Sequence, residues 1–105
     1  MMATEKQARL ARFWRKYLRL TRGRIDALRS LEIIVSEETD DVLKATLSKV
    51  LTSLKSGIAL SDAFRQQPEM FSLCVVELLA AAENSGAWDD ILKEIADGLD
   101  EGTFA

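Results

Sequence analysis

Residues 5 to 22 read EKQARLARFWRKYLRLTR, and the spacing of this stretch decides the fold class. At ~100° per residue, Leu10, Phe13, Trp14, Tyr17 and Thr21 share one face, whereas Arg9, Arg12, Arg15, Lys16, Arg19 and Arg22 take the opposite arc. Such segregation predicts an amphipathic helix that needs a core on one side and water or an anionic partner on the other. Gly23 follows and is expected to end the helix in the left-handed conformation.

Working outward, the same period recurs. Asp26 or Thr21 could begin a second helix to about Glu38, with Ile25, Leu28, Leu31, Ile34 and Val35 at helical spacing. Asp40 is a plausible N-cap for a third, in which Leu43, Leu47, Val50, Leu51 and Leu54 face inward and Gly57 marks the end. Ser61 reads as the N-cap of a short fourth helix stopped by Pro68, because proline disfavours helical geometry in the residue before it. Ser72 caps a fifth, Leu73 to about Asn84, which is apolar nearly all round and is therefore expected to be the central, most buried element. Trp88, Ile91, Leu92, Ile95 and Leu99 stripe a sixth, whose Asp89 and Asp90 complement the dipole in its first turn and whose Gly98 and Gly102 are expected to weaken its far end. No segment alternates as a strand does, and no internal repeat or low-complexity linker is evident. The reading is an all-α, compact bundle of about six helices, one domain over residues 1–105 with its core at 8–101.

Size and composition agree. A chain of 105 residues with 48% hydrophobic and 30% charged residues and a single proline is globular in composition and long enough to bury one core. The lone Cys74 cannot form an internal disulfide, and no signal peptide is recognisable, so a reducing, cytoplasmic setting is expected. Charge is divided along the chain. Residues 1–30 hold nine basic side chains against two acidic, a net +7, while the rest holds five against fifteen, a net −10. That division implies either an electrostatic partner for one end or pairing between the two.

The chemistry is defined by absences. Without any histidine the chain lacks the commonest general base and zinc ligand, and one cysteine rules out the multi-cysteine zinc patterns. The five glycines are scattered at expected helix ends and form no phosphate-cradling loop. No catalytic residue, cofactor or metal ligand is assigned. Glu37, Glu38, Asp40 and Asp41 lack the alternating ligands and central glycine of a calcium loop, and acidic residues are favoured before a helix on dipole grounds. Cys74, beside Leu73, Val75 and Val76, is expected to be a buried small hydrophobe. The basic arc of the first helix could meet anionic lipid, nucleic acid or an acidic protein, or be a solvated face paired with acidic neighbours. Nucleic acid ranks below protein and lipid, since the chain as a whole is acidic and Phe13, Trp14 and Tyr17 read as core.

Three segments carry a resemblance: Lys55 to Phe64 (KSGIALSDAF), Pro68 to Phe71 (PEMF), and Ala82 to Leu92 (AENSGAWDDIL). In order and spacing they resemble the F-type platform protein of type II secretion systems and type IV pili, whose pattern runs from G-x-x-L-s-x-A through P-x-x-F-P to G-E-x-S-G-x-L-x-x-v-L. Gly57, Leu60, Phe64, Pro68, Phe71, Glu83 and Gly86 stand at the matching positions. Departures are Ala82 for the glycine before the glutamate, Ser72 for the proline after the phenylalanine, Trp88 for the leucine after the second glycine, and Asp26 for a proline near the start of the second helix.

The resemblance implies a noncatalytic scaffold at the cytoplasmic side of the bacterial inner membrane, contacting the assembly ATPase and other platform proteins, with weak self-association. It also implies a longer architecture of two such domains joined by membrane helices, so the chain is either an excised domain or a free-standing relative. Arg12, Arg15, Lys16 and Arg19 are the interface candidates. Glu83 is expected either at an interface or as a helix cap or hydrogen-bond acceptor across the Asn84–Gly86 turn.

Overall fold

The structure, a computed structural model, describes residues 3–104. Among these residues there are six α-helices and no strand: α1 (Glu5–Arg22), α2 (Ala27–Glu37), α3 (Asp41–Lys55), α4 (Leu60–Arg65), α5 (Leu73–Ser85) and α6 (Trp88–Asp100). Local chemistry starts most of them. Thr4 and Gln7 form a reciprocal capping box on α1, and the side chains of Asp26, Asp40 and Ser72 accept the N3 amides of α2, α3 and α5.

Each helix packs on its neighbours in sequence, and α6 returns to pack on α1, so the six form a closed ring. The ring is filled from one side. α1 buries Leu10, Ala11, Phe13, Trp14, Tyr17 and Leu18, and its Trp14 ring meets Phe64 of α4 at 5.1 Å between centroids while Phe64 meets Phe71 edge-on at 4.6 Å. Aromatic pairs at these separations add to the burial of their area.

The ring corrects several expectations. α5 is not the most buried element, and α1 gives the core more side chains than any other helix. α5 lies between α4 and α6 and turns in only Val75, Val76, Leu79 and Ala82, leaving Leu73 65% exposed. The middle is taken by the aromatic side chains of α1 with Phe64 and Phe71, and the side chains that α5 turns inward are only aliphatic and small. Cys74 sits on the same outer face and is exposed, not buried. In α2 the inward positions are Ser30, Leu31 and Ile34, and Leu28 reaches the surface; the Ser30 hydroxyl donates to the Ile25 carbonyl at 3.2 Å, which satisfies its burial.

Two helix ends also differ from expectation. Gly23 keeps φ −76°, and Arg24 takes the left-handed turn at φ 68°. Ile25 N–H bonds to Leu20 O and Arg24 N–H to Thr21 O, the 6→1 and 5→2 pair of a Schellman motif whose C′ residue is Arg24. At the other end of the chain, Gly98 has a packing role beside its effect on the helix. The Phe104 ring lies against the place a Cβ on Gly98 would take, so the absent side chain is what lets the ring fold back on the helix.

Candidate protein-interaction face

The cations of α1 are separated by their neighbours into two kinds. On one flank Arg15 bonds to Asp100 through Nε at 3.0 Å and to Asp97 at 2.9 Å, joining α1 to α6. On the other, Lys16 pairs with Glu37 of α2, and Arg9 lies 3.3 Å from Glu5 and 3.7 Å from Asp40. Arg22 stands 3.9 Å from Asp89. Between these flanks Arg12 and Arg19, two turns apart, are exposed and have no ion pair among the described residues. The division of charge along the sequence thus resolves largely into pairing within the molecule, with Arg12 and Arg19 as an unpaired ridge.

Electrostatics follow the same geometry. Hydrogen bonds to Asp100 and then Asp97 raise the Arg15 guanidinium further above its ordinary value. Asp97 is held below the usual carboxylate range by Lys93 first, whose Nζ is 2.8 Å away, and by Arg15 second.

Of the five interface candidates, the fold therefore brings Arg15 and Lys16 into internal pairs and leaves Arg12 and Arg19 open. Glu83 does not span the Asn84–Gly86 turn. Its carboxylate reaches α4, accepting the Ser61 amide at 2.9 Å and the Ser61 hydroxyl. Ser61 is accordingly not the N-cap, which is Ala59, a residue with no side chain able to serve. The cap of α4 is supplied from α5, and a negative charge there also meets the helix dipole.

The other motif residues hold the same corner. Gly57 (φ 94°) and Gly86 (φ 76°) take the left-handed turns after α3 and α5, Leu60, Phe64 and Phe71 are buried between helices, and Pro68 is exposed in the α4–α5 connection. The acidic cluster is structural too: Glu37 pairs with Lys16, Glu38 accepts the Thr39 and Asp40 amides, and Asp40 caps α3. No grouping of three or more His, Cys, Asp or Glu side chains among the described residues is arranged to hold a metal ion.

Two features escaped the sequence reading. The Trp14 indole N–H and the Tyr17 hydroxyl are buried with no hydrogen-bond partner among the described residues. Burial first, and the Asp26 charge second, push the Tyr17 phenol well above its ordinary value. Spacing carries no signal for either, because an aromatic at a core position reads as core whatever its polar atom does.

Among known proteins, the family described as Type II secretion system (T2SS), protein F matches residues 13–103. The chain belongs to that family. It is 26% identical over 84 residues to the type IV pilus assembly protein PilC of Myxococcus xanthus, covering 80% of this chain and 20% of that protein. It is 28% identical over 94 residues to the protein transport protein HofC homolog of Haemophilus influenzae, covering 90% and 23%. The type II secretion system protein F of Xanthomonas campestris is 28% identical over 72 residues, covering 69% and 18%. The chain thus spans about a fifth of the length of the curated relatives it matches. No helix among the described residues is long and apolar enough to cross a membrane.

Proposed function

We propose that this chain is a noncatalytic protein-interaction domain of a type II secretion or type IV pilus platform, working at the cytoplasmic face of the bacterial inner membrane. Its partners in this reading are the assembly ATPase and other platform proteins, with weak self-association. The observation that carries it is the unpaired ridge of Arg12 and Arg19 on a helix whose other cations are nearly all engaged, in a chain that belongs to the secretion protein F family. Guanidinium groups held apart by a rigid helix suit bidentate contact with carboxylates of a partner protein.

The reading is tested by capturing the purified assembly ATPase and the membrane platform protein of the same host on this chain. Wild type is expected to retain at least one of them, and Arg12→Glu with Arg19→Glu to lose about tenfold in affinity while its circular dichroism is unchanged. Failure of both proteins to bind, with sedimentation showing a strict monomer, would sink it. Salt-sensitive binding to vesicles rich in phosphatidylglycerol, in place of protein binding, would assign the ridge to the membrane surface instead.

A further inference from the structure

A hollow of about 330 Å³ opens where the end of α1, the start of α2 and the start of α6 converge. Its lining includes Tyr17, Ile25, Asp26, Trp88, Asp89 and Leu92. Its walls are apolar and aromatic, and its ionisable lining groups other than the phenol are both carboxylates. A volume of this order suits one long side chain.

Three features describe the occupant. The Tyr17 ring lines the hollow while its hydroxyl, closed off from solvent and without a partner among the described residues, offers no accessible polar group there, so this wall meets an occupant as an apolar ring. Asp26 gives one oxygen to the Arg29 amide at 2.8 Å in capping α2, which leaves its other oxygen available. Among the described residues the one ion pair of Asp89 is with Arg22, whose Nε stands 3.9 Å away with both side chains nearly two-thirds exposed, a loose pair that a better-seated cation can displace.

We propose that this hollow is a socket for a lysine or arginine side chain of a partner protein. The methylene stem lies along Ile25, Leu92 and the Tyr17 ring, and the charged head meets Asp26 and Asp89 with the Trp88 ring alongside. An aliphatic stem in an apolar cleft with its cation at the rim is the way such side chains divide themselves between apolar and polar surroundings, and an aromatic face adds attraction for the cation. The site differs from the ridge of Arg12 and Arg19 in position and in sign. That the side chain belongs to a protein rests on the interaction-domain reading; the chemistry of the socket does not.

The test uses n-butylammonium as the probe, titrated into the chain by NMR, with n-butanol as its neutral counterpart. Saturable shifts are expected at the Tyr17 ring, the Ile25 methyls and the Trp88 indole, with n-butanol at least tenfold weaker. Asp26→Asn keeps the α2 cap, since asparagine caps as well as aspartate, and is expected to weaken the probe about fivefold, as is Asp89→Asn. Tyr17→Phe, which keeps the ring wall, should leave it unchanged. Equal binding of n-butanol, shifts that persist in the doubly substituted chain, or no shift at these three residues would each overturn the socket. No secretion component enters this titration, so its failure leaves the ATPase capture standing, and the reverse holds as well.

Discussion

Arg24 shows what a single residue can be made to bear. Its φ of 68° is a region that costs an L-residue with a Cβ roughly 1–2 kcal/mol, and the two bonds of the Schellman motif hold it there. Arg24→Gly removes that strain and returns part of the gain as unfolded-state entropy, so stability is expected to rise by about 0.5–1 kcal/mol in urea titration. A fall would mean that the arginine side chain holds the turn. Tyr17 presents the opposite case, a buried hydroxyl with nothing to bond. Tyr17→Phe is expected to raise stability by roughly 1 kcal/mol, because the orphaned group carries a desolvation cost and no return. The phenol also sets a pH dependence. Its folded value is raised, so its contribution is complete below about pH 10 and is lost above it, as the unfolded chain ionises and the folded one does not. The thermal midpoint should therefore fall as pH is raised beyond about 10, and Tyr17→Phe should flatten that decline.

Among the elements, α4 depends most on help from elsewhere. Six residues are too few for a helix to persist alone, and Ala59 offers it no cap. The Glu83 carboxylate makes good the deficit from α5. Glu83→Ala is expected to cost about 1–2 kcal/mol, and Glu83→Gln less, since the amide oxygen can still accept one of the two bonds. Amide hydrogen exchange of Ala63 and Phe64 would report whether the loss is local to α4. The end of α6 supplies a second test. Gly98→Ala should stabilise by about 1 kcal/mol in a Phe104→Ala background through helix propensity alone. In the wild-type chain the displaced Phe104 ring should offset most of that gain, so the two substitutions should be non-additive.

At the scale of the whole molecule, the decisive contact is α1 against α6, which closes the ring between segments some 80 residues apart. Two forces act there, and their sizes differ. The apolar side chains of α1 and α6 each gain about 1.5–3 kcal/mol on burial, whereas exposed ion pairs contribute little. Trp14→Ala is accordingly expected to lose about 3–5 kcal/mol and with it most of the folded population at 37 °C, while Arg15→Ala should shift the thermal midpoint only slightly. The ion pairs fix register and leave a trace in acid. Asp97 is depressed, so its stabilisation is present above about pH 4 and is lost as pH falls through its lowered value. Lys93→Ala and Arg15→Ala should each move the Asp97 titration, followed by NMR, back toward the usual range, Lys93→Ala the more.

Local features could be read from residue order alone. Asp26, Asp40 and Ser72 cap their helices because a side chain three residues before an amide can reach it without any tertiary context. The period of Leu10, Phe13, Trp14 and Tyr17 fixed the buried face of α1, and the Gly57 to Leu92 pattern carried the family. The non-local features come from packing: that α1 fills more of the core than α5, that Cys74 faces outward, that the helix Glu83 caps is the one holding Ser61, 22 residues away, and that Arg15 and Lys16 are engaged while Arg12 and Arg19 are not. Periodicity says which face of a helix is apolar, but not which other face it meets. The order of the ring, and with it the pairing of each charge, follows from filling one small core with the largest side chains on hand.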